Sequence, residues 1–345
     1  QACDALDRLQ LGIVFLRLKD YTDAMIERFN TALTARRMPH LSVISLDSPG
    51  RLFTELRHAL LETTATSIRV VERRTRPDPP PRRNVPRVDA GGAGATETRV
   101  IEGKMGTYGG LEVNVDRLGH DMLTFLAGRM ELKWTASPKR LTISNAAFAA
   151  GGIRFAYDAT RGGTAVVAKD FQRPGADTLA AHVAEIKGIA CASYLADLFC
   201  RRLGIAVDAF RYVRVAVIDE GEGFDRRTAD CRSRFYSFEE RLSGQWVKMN
   251  SNRGLAYDRP AYALAQAFSH YTHHATEGEM MVLDLQGTIT ADGKFVLSDP
   301  AVQTRDRSKF DNATNIGEPS MLNFLESHRC NDYCRRLALP VAPGR

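Results

Sequence analysis

The sequence feature that most limits how this chain can fold is a group of soft metal ligands near its end. His328, Cys330 and Cys334 fall within seven residues and follow the pattern HxCxxxC. Such a group is typical of a structural zinc site, in which thiolates and imidazoles complete a tetrahedron. A fourth ligand must come from a distant segment. The upstream histidines that qualify are His270, His273 and His274. We therefore predict a zinc site that ties the C-terminal segment onto the helix expected at about 259–272.

Two acidic motifs precede this group, and each follows an apolar stretch. Asp284 and Gln286 lie in Asp-Leu-Gln-Gly after Met-Met-Val-Leu, and Asp299 follows Phe-Val-Leu-Ser. Side chains two positions apart in one strand point to the same side, so Asp284 and Gln286 are expected to face one cleft. Oxygen ligands at neighbouring strand ends suit Mg²⁺, which retains several waters. The alternative is that these polar residues only cap strand ends.

A lysine at the end of an apolar strand is a candidate for contacts with phosphate. Lys169 ends the run Thr-Ala-Val-Val-Ala-Lys, which follows the glycine pair Gly151 and Gly152. This order lets the backbone amides of a glycine turn and an ammonium group approach the same phosphate oxygens. The alternative is a surface lysine that ends an amphipathic strand.

The chain divides into three parts by composition. Residues 1–72 carry apolar side chains at helical spacing, and we predict a helical region without an assigned role. Residues 73–96 contain three consecutive prolines and a Gly-Gly-Ala-Gly run, which predicts a flexible Pro/Gly/Arg-rich linker. Residues 97–345 change to strands followed by helices, which predicts an α+β domain with two lobes.

Composition narrows the possible partners and the compartment. Among 345 residues, 44% are hydrophobic, and no apolar run is long enough for a membrane span. The net charge is +6, and seven arginines lie between positions 69 and 87 without interleaved aromatic residues. This pattern favours a solvated basic linker over a nucleic-acid partner. Six cysteines are too few for a disulfide scaffold in a chain of this size, so we expect a reducing, cytoplasmic setting.

Several ordered motifs together resemble the atypical alpha-kinase family, of the myosin heavy chain kinase, elongation-factor-2 kinase and channel-kinase type. The resemblance covers roughly residues 120–340, so 97–345 is expected to be the catalytic domain. The segments that carry it are FAAGGIRFAY (148–157), VAK (167–169), FEE (238–240), VKMNSNRG (247–254), AFSH (267–270), DLQG (284–287), SDP (298–300), TNIG (314–317) and HRCNDYC (328–334).

The resemblance implies a two-lobed, protein-kinase-like α+β fold with a zinc-stapled C-terminal lobe. The implied activity is transfer of the γ-phosphate of ATP, with Mg²⁺, to a serine or threonine hydroxyl of a protein substrate. The alternative is a catalytically weak or inactive member that binds nucleotide or serves as a scaffold. Asn312 and Thr314 favour this alternative, because they occupy loop positions that are commonly glycine in the family.

The resemblance also assigns roles in nucleotide binding. Lys169 and Lys248 correspond to lysines that contact the ATP phosphates, and Glu239 corresponds to the hinge residue that meets the adenine. Asn315 and Gly317 belong to the loop that closes over nucleotide or peptide. The glycine turn at 151–152 is expected to approach the phosphates.

The remaining assignments concern catalysis and metals. Asp284 corresponds to the catalytic aspartate, and Gln286 and Asp299 correspond to a magnesium-coordinating pair. Among the three candidate histidines, the resemblance selects His270 as the fourth zinc ligand. The implied zinc ligands are His270, His328, Cys330 and Cys334.

Overall fold

The structure, a computed structural model, describes residues 97–173, 176–221 and 233–341. The helical region predicted over 1–72 and the linker predicted over 73–96 lie outside the described residues. No helix in the described ranges is both long and apolar enough to cross a membrane.

The described part of the chain forms groups of strands separated by helices. The strands are β1 Thr98–Thr107, β2 Lys133–Trp134, β3 Lys139–Ala150, β4 Arg154–Arg161, β5 Thr164–Phe171, β6 Phe210–Tyr212, β7 Val215–Asp219, β8 Phe235–Glu240, β9 Trp246–Lys248, β10 Met280–Leu283, β11 Gln286–Ile289, β12 Phe295–Ser298 and β13 Ala301–Thr304. The helices are α1 Leu118–Ala127, α2 Leu179–Leu203, α3 Ala263–Ala275, α4 Glu318–Ser327 and α5 Asp332–Arg336.

The first half of this region forms a seven-stranded sheet in the order β2-β1-β3-β4-β5-β8-β7. Strand β1 pairs antiparallel with β3 and also with β7, so the sheet closes on itself. Apolar side chains of alternate positions fill the enclosed side, among them Ile101, Leu141, Ile143 and Tyr236. The opposite side of β4, β5 and β8 carries the polar residues of the candidate site, because side chains alternate along a strand.

The second half packs helices against two smaller sheets. One sheet has the order β6-β12-β11-β9, and the other pairs β10 with β13. Phe199 of α2, Phe210 of β6 and Phe268 of α3 meet in the core, with ring centroids 4.8 to 5.6 Å apart. Aromatic contacts at these separations stabilise a core beyond simple burial of area. Helices α2 and α3 are thereby held against the sheet that carries Gln286 and Ser298.

Helix α3 contacts β10 through hydroxyl groups as well as apolar side chains. Ser269 Oγ donates to Val282 O at 2.7 Å, and Val282 N donates to Thr272 Oγ1 at 3.0 Å. Ser269 and Thr272 are fully buried, so each hydroxyl satisfies a backbone group that has lost its contact with water. Helix α3 and β10 are therefore joined by two hydrogen bonds at Val282.

The predicted α+β class is confirmed, but one element differs from the prediction. We expected Asp284 and Gln286 to share a single strand, and this is wrong. Strand β10 ends at Leu283 and pairs with β13, whereas β11 begins at Gln286 and pairs with β9 and β12. Asp284 has a φ of 58°, in the left-handed region, so the chain turns there from one sheet into the next.

Gly287 provides a test of how closely β11 and β12 approach. Its φ is +153°, and a Cβ there would lie 2.1 Å from Val296 O. We expect Gly287→Ala to lower the free energy of unfolding by roughly 1–3 kcal/mol, because the two strands must separate. Urea unfolding measures this. Gly152→Ala is the control, since a Cβ at Gly152 meets nothing within 4 Å. Equal stability of the two variants would contradict the close approach.

Candidate active site

A cluster of opposite charges joins the seven-stranded sheet to the end of β12. Lys169 Nζ donates to Glu239 Oε1 at 2.7 Å and to both carboxylate oxygens of Asp299 at 2.8 Å. Arg154 donates to Asp299 Oδ1 at 2.6 Å and lies 3.1 Å from Glu185 of α2. Lys169 and Glu239 are buried. The cluster thus holds two cations and three carboxylates, with Asp299 in contact with both cations.

The electrostatics of the cluster favour an ionised Asp299. Burial by itself raises the pKa of Asp299, but the charges of Lys169 and Arg154 outweigh burial and hold this pKa well below its ordinary value. At Glu239 burial is the larger influence, and it raises the pKa despite the contact with Lys169. Of Asp299 and Glu239, Asp299 is therefore the carboxylate better suited to meet a cation at neutral pH.

A second polar group lies at the bend between β10 and β11. Lys248 Nζ approaches Asp284 Oδ1 at 2.6 Å, and Gln286 Nε2 donates to Asp284 Oδ2 at 3.0 Å. Gln286 Nε2 also lies 3.4 Å from Asp299 O. The structure thus brings together Asp284, Gln286 and Asp299, although the first two belong to different elements.

Both aspartates of this region adopt an uncommon backbone conformation. Asp284 has a φ of 58° and Asp299 a φ of 52°. A left-handed conformation costs a residue with a side chain roughly 1–2 kcal/mol. Such costs persist where surrounding contacts impose them, and they concentrate at functional sites. The contacts of Lys248 and Lys169 with the two carboxylates are of this kind.

The glycine turn lies between β3 and β4, two residues before Arg154. Gly151 and Gly152 are exposed, and the space around the Cβ position of Gly152 is open. Gln172 Nε2 donates to Gly151 O at 2.8 Å and to Arg154 O at 3.1 Å. Gln172 therefore anchors the turn to the end of β5, close to the strand that carries Lys169.

The loop that contains Asn315 and Gly317 packs against β13. Asn315 is buried, and its Nδ2 donates to Thr304 Oγ1 at 2.8 Å and to Phe310 O at 2.9 Å. Gly317 has a φ of 93°, and a Cβ there would lie 2.7 Å from Arg307 Cγ. The buried Asn315 side chain thus stabilises the loop through hydrogen bonds to Thr304 and Phe310. The contact of Asn315 with nucleotide stays a prediction.

Gln303 fixes the same loop and was missed by the sequence analysis. Its Nε2 donates to Asn252 Oδ1 at 2.6 Å and to Thr314 O at 3.0 Å. Its Oε1 accepts from Ile316 N at 2.6 Å and from Gly317 N at 3.0 Å. The fully buried amide joins the loop to the segment after β9. The available signal was a glutamine in the otherwise strand-like run Ala-Val-Gln-Thr.

Asn312 and Thr314 stabilise the loop with their own side chains. Asn312 Oδ1 accepts from Thr314 N at 2.8 Å and from Thr314 Oγ1 at 2.7 Å, and Asn312 Nδ2 donates to Glu185 Oε1 at 3.1 Å. Neither residue is among the described residues with positive φ. The backbone at these two positions therefore does not require glycine.

Arg154 and Glu185 are further site residues to which the sequence analysis gave no role. Arg154 lies between Ile153 and Phe155, so its signal was a charge within an apolar strand. Glu185 is buried in α2, and its signal was a carboxylate on a mostly apolar helix face. Only the tertiary structure shows that the two side chains meet, with Arg154 3.1 Å from Glu185.

The candidate metal centre combines α3 with the C-terminal segment. The ligand atoms of four residues lie within 4.8 Å of one another, and these residues are His270, His328, Cys330 and Cys334. Cys334 Sγ is 3.4 Å from His328 Nε2, and Cys330 Sγ is 3.8 Å from His270 Nδ1. A tetrahedral zinc ion with ordinary bond lengths separates sulfur and nitrogen by about 3.5 Å, so this set fits zinc. His273 and His274 lie outside the cluster.

The protonation of these ligands also suits a metal. Burial lowers the pKa of His270 and of His328 to about 4, so both are neutral imidazoles at neutral pH. Burial raises the pKa of the Cys334 thiol to about 11. Metal ligation by Cys334 therefore requires release of its proton.

Comparisons of sequence place these features among known proteins. The sequence model of the alpha-kinase family matches residues 149–334. A relative named alpha-protein kinase vwkA, from Dictyostelium discoideum, is 34% identical over 107 residues, which are 31% of this chain and 17% of the relative. Human transient receptor potential cation channel subfamily M member 6 is 36% identical over 118 residues, which are 32% of this chain and 6% of the channel. The chain thus spans less than a fifth of these curated relatives.

Comparison of structures gives the same fold. A structure described as a novel alpha kinase from Entamoeba histolytica aligns with a TM-score of 0.57 at 25% identity, and covers 72% of this chain and 94% of that one. The alpha-kinase domain of myosin heavy chain kinase A in complex with ADP aligns with a TM-score of 0.53 at 19% identity, and covers 70% and 98%. Because its sequence identity is 19%, the second alignment shows a shared fold only.

The metal centre predicts a specific loss in Cys334→Ser. We expect this variant to bind less than one equivalent of zinc and to melt at a lower temperature, because ligand binding by the native state adds to stability. Zinc content by mass spectrometry and thermal unfolding measure the two effects. Cys191→Ser is the matched control, since Cys191 is equally buried but outside the cluster. Retention of zinc by Cys334→Ser would overturn the ligand assignment.

Proposed function

Since the chain belongs to the alpha-kinase family, we propose that it is an ATP- and Mg²⁺-dependent serine/threonine protein kinase with a structural zinc site. The observation that carries the proposal is the convergence of Lys169, Arg154 and Asp299 beside the pair Asp284 and Gln286. Phosphoryl transfer depends on positioning and charge neutralisation more than on covalent chemistry, and this arrangement supplies both.

The nucleotide phosphates would bind beside Lys169 and Arg154. Both cations lie at the sheet surface that begins at the exposed glycine turn, and both now contact carboxylates. Phosphate oxygens would share these donors and gain charge-assisted hydrogen bonds. Glu239 ends this surface on β8, in the position assigned to the adenine-contacting hinge.

Asp299 and Gln286 would hold Mg²⁺. The charges of Lys169 and Arg154 favour an ionised Asp299, and Gln286 Nε2 lies 3.4 Å from the backbone oxygen of Asp299. The carboxylate of Asp299 and the side-chain oxygen of Gln286 would supply the oxygen ligands that a hard cation prefers. Magnesium bound there would neutralise charge on the transferred phosphate. This requires Asp299 to exchange part of its contact with Lys169 and Arg154 for the cation.

Asp284 would accept or orient the proton of the substrate hydroxyl. Gln286 holds one of its oxygens, and Lys248 stabilises the charge on the other at 2.6 Å. A carboxylate fixed in this way is a suitable general base. Lys248 is also the residue assigned to a second phosphate contact, and its place beside Asp284 would bring phosphate and hydroxyl together. A phosphorylated Asp284 as an intermediate is the alternative role of this carboxylate.

The zinc site would be structural and not catalytic. Four protein ligands complete a tetrahedron and leave no position for water or substrate. The site would hold the C-terminal segment to α3, which in turn contacts the strand that precedes Asp284.

The proposed activity predicts that Asp284→Asn abolishes phosphate transfer. We expect incorporation of labelled phosphate from ATP into a basic test protein, with Mg²⁺, to fall by roughly 10²–10⁴-fold in this variant. Asp292→Asn is the matched control, because Asp292 is an exposed aspartate in the turn between β11 and β12. Equal activity of Asp284→Asn and wild type would remove Asp284 from the mechanism.

Phosphate transfer and melting temperature, measured together, distinguish an active kinase from an inactive protein that binds nucleotide. If wild type transfers no phosphate but its melting temperature rises with ATP and Mg²⁺, the inactive nucleotide-binding alternative replaces the kinase proposal. If ATP and Mg²⁺ leave the melting temperature unchanged, both proposals fail.

A further inference from the structure

We infer that Asn250 is a positioning residue for Asp284 and Gln286, an inference that rests on the proposed kinase function. Asn250 lies two residues after the end of β9 and is fully buried. Its side-chain oxygen accepts a hydrogen bond from Leu285 N at 2.9 Å. Leu285 is the residue between the two proposed catalytic side chains.

Each residue of the segment 248–250 contacts the bend at residues 284–285. Lys248 Nζ pairs with Asp284 Oδ1 at 2.6 Å, and Met249 N donates to Leu285 O at 2.8 Å. Asn250 Oδ1 then accepts from Leu285 N. Both backbone polar groups of Leu285 are thus bound by adjacent residues, at the point where the chain passes between two sheets. Residues 284 and 285 lie between β10 and β11 and belong to neither strand, so these contacts and not strand pairing stabilise the bend.

The donors of Asn250 are bound as tightly as its acceptor. Its Nδ2 donates to Ser269 Oγ at 3.0 Å and to Gln266 Oε1 at 3.2 Å, both on α3. Gln266 Nε2 in turn donates a hydrogen bond to Met249 O at 2.6 Å. A buried amide with all its partners defined has one orientation, so α3 determines where the Leu285 N–H must lie.

The bend matters because of the conformation of Asp284. Its left-handed φ of 58° is costly for a residue with a side chain. Without the hydrogen bond to Asn250, the buried Leu285 N–H would lack a partner, and the backbone would relax towards an ordinary conformation. That relaxation would turn the Asp284 carboxylate away from Gln286 and Lys248. Asn250 therefore acts through Asp284, without touching the reacting atoms.

Replacement of Asn250 is expected to reduce turnover more than binding. In Asn250→Leu we expect kcat to fall about 10²-fold, because small displacements of a catalytic group have effects of this size. We expect KM for ATP to change by less than about threefold, because Lys169 and Arg154, the two cations proposed to bind the phosphates, lie in the seven-stranded sheet and do not contact Asn250. Asn250→Asp keeps an oxygen that faces the Leu285 N–H, and its kcat is expected to lie within about tenfold of wild type.

Two further variants separate positioning from stability. Asn250→Ser keeps a polar side chain in the core, but the serine side chain is too short to reach Leu285 N. Its kcat should therefore fall as much as that of Asn250→Leu, which keeps the test valid if the leucine variant folds poorly. Thr272→Val is the matched control, since Thr272 is buried on α3 and binds the backbone at Val282. It should lower the melting temperature without the fall in kcat.

Amide hydrogen exchange at Leu285 tests the inference independently of activity. We expect protection of this amide to be lost in Asn250→Leu and Asn250→Ser and retained in Asn250→Asp and Thr272→Val. Unchanged protection in the first two variants would overturn the inference, whether or not the wild type transfers phosphate. Equal losses of kcat in Asn250→Leu and Thr272→Val would overturn it as well. If the wild type is inactive while the exchange pattern holds, the proposed function fails and the structural role of Asn250 stands.

Discussion

The contact of Asp299 with Lys169 and Arg154 is the interaction on which the arrangement of the site depends. Lys169 and Arg154 belong to the seven-stranded sheet, whereas Asp299 follows a strand of the smaller sheet. Each side chain is partly or fully withdrawn from water. Removal of one partner would leave an uncompensated buried charge, which costs roughly 3–5 kcal/mol. The same contact brings the cations and the carboxylate of the site to one place.

The second constraint is the bend at Asp284. Because β10 and β11 belong to different sheets, the chain must change direction within two residues. The change is made with Asp284 in an uncommon backbone conformation, and the neighbouring segment 248–250 contacts this bend. Strain, charge pairing and a buried amide therefore act on the same short stretch. We infer that this combination sets the geometry of the proposed general base.

Helix α3 connects this bend to the candidate metal centre. His270 contributes a ligand atom to the cluster, and its neighbour Ser269 binds both Asn250 and Val282. The helix thus has one side towards the C-terminal segment and another towards the strand before Asp284. Helix α3 also supplies both acceptors for the side-chain amide group of Asn250. The candidate metal centre and the bend at Asp284 are in this way parts of one packed unit.

Several features of this protein followed from its sequence alone. The α+β class and the family resemblance are confirmed, because apolar periodicity and ordered motifs depend on local sequence. The pattern HxCxxxC indicated three residues of the metal cluster, since soft ligands at short spacing have few other uses. His270 required the resemblance, because three histidines of one helix offered the same chemistry.

Only the tertiary structure decided how these residues meet. Asp284 and Gln286 were expected on one strand, but they face each other across a bend, because pairing partners and not local propensity determine where a strand ends. No individual role for Arg154, Gln303 or Asn250 could be predicted from the sequence, although Arg154 and Asn250 lie within motifs of the family resemblance. Their roles arise from partners up to 145 positions away, as with Arg154 and Asp299. Long-range contacts of single polar side chains leave no periodic signal, so sequence determined which chemistry was present, and packing determined where it acts.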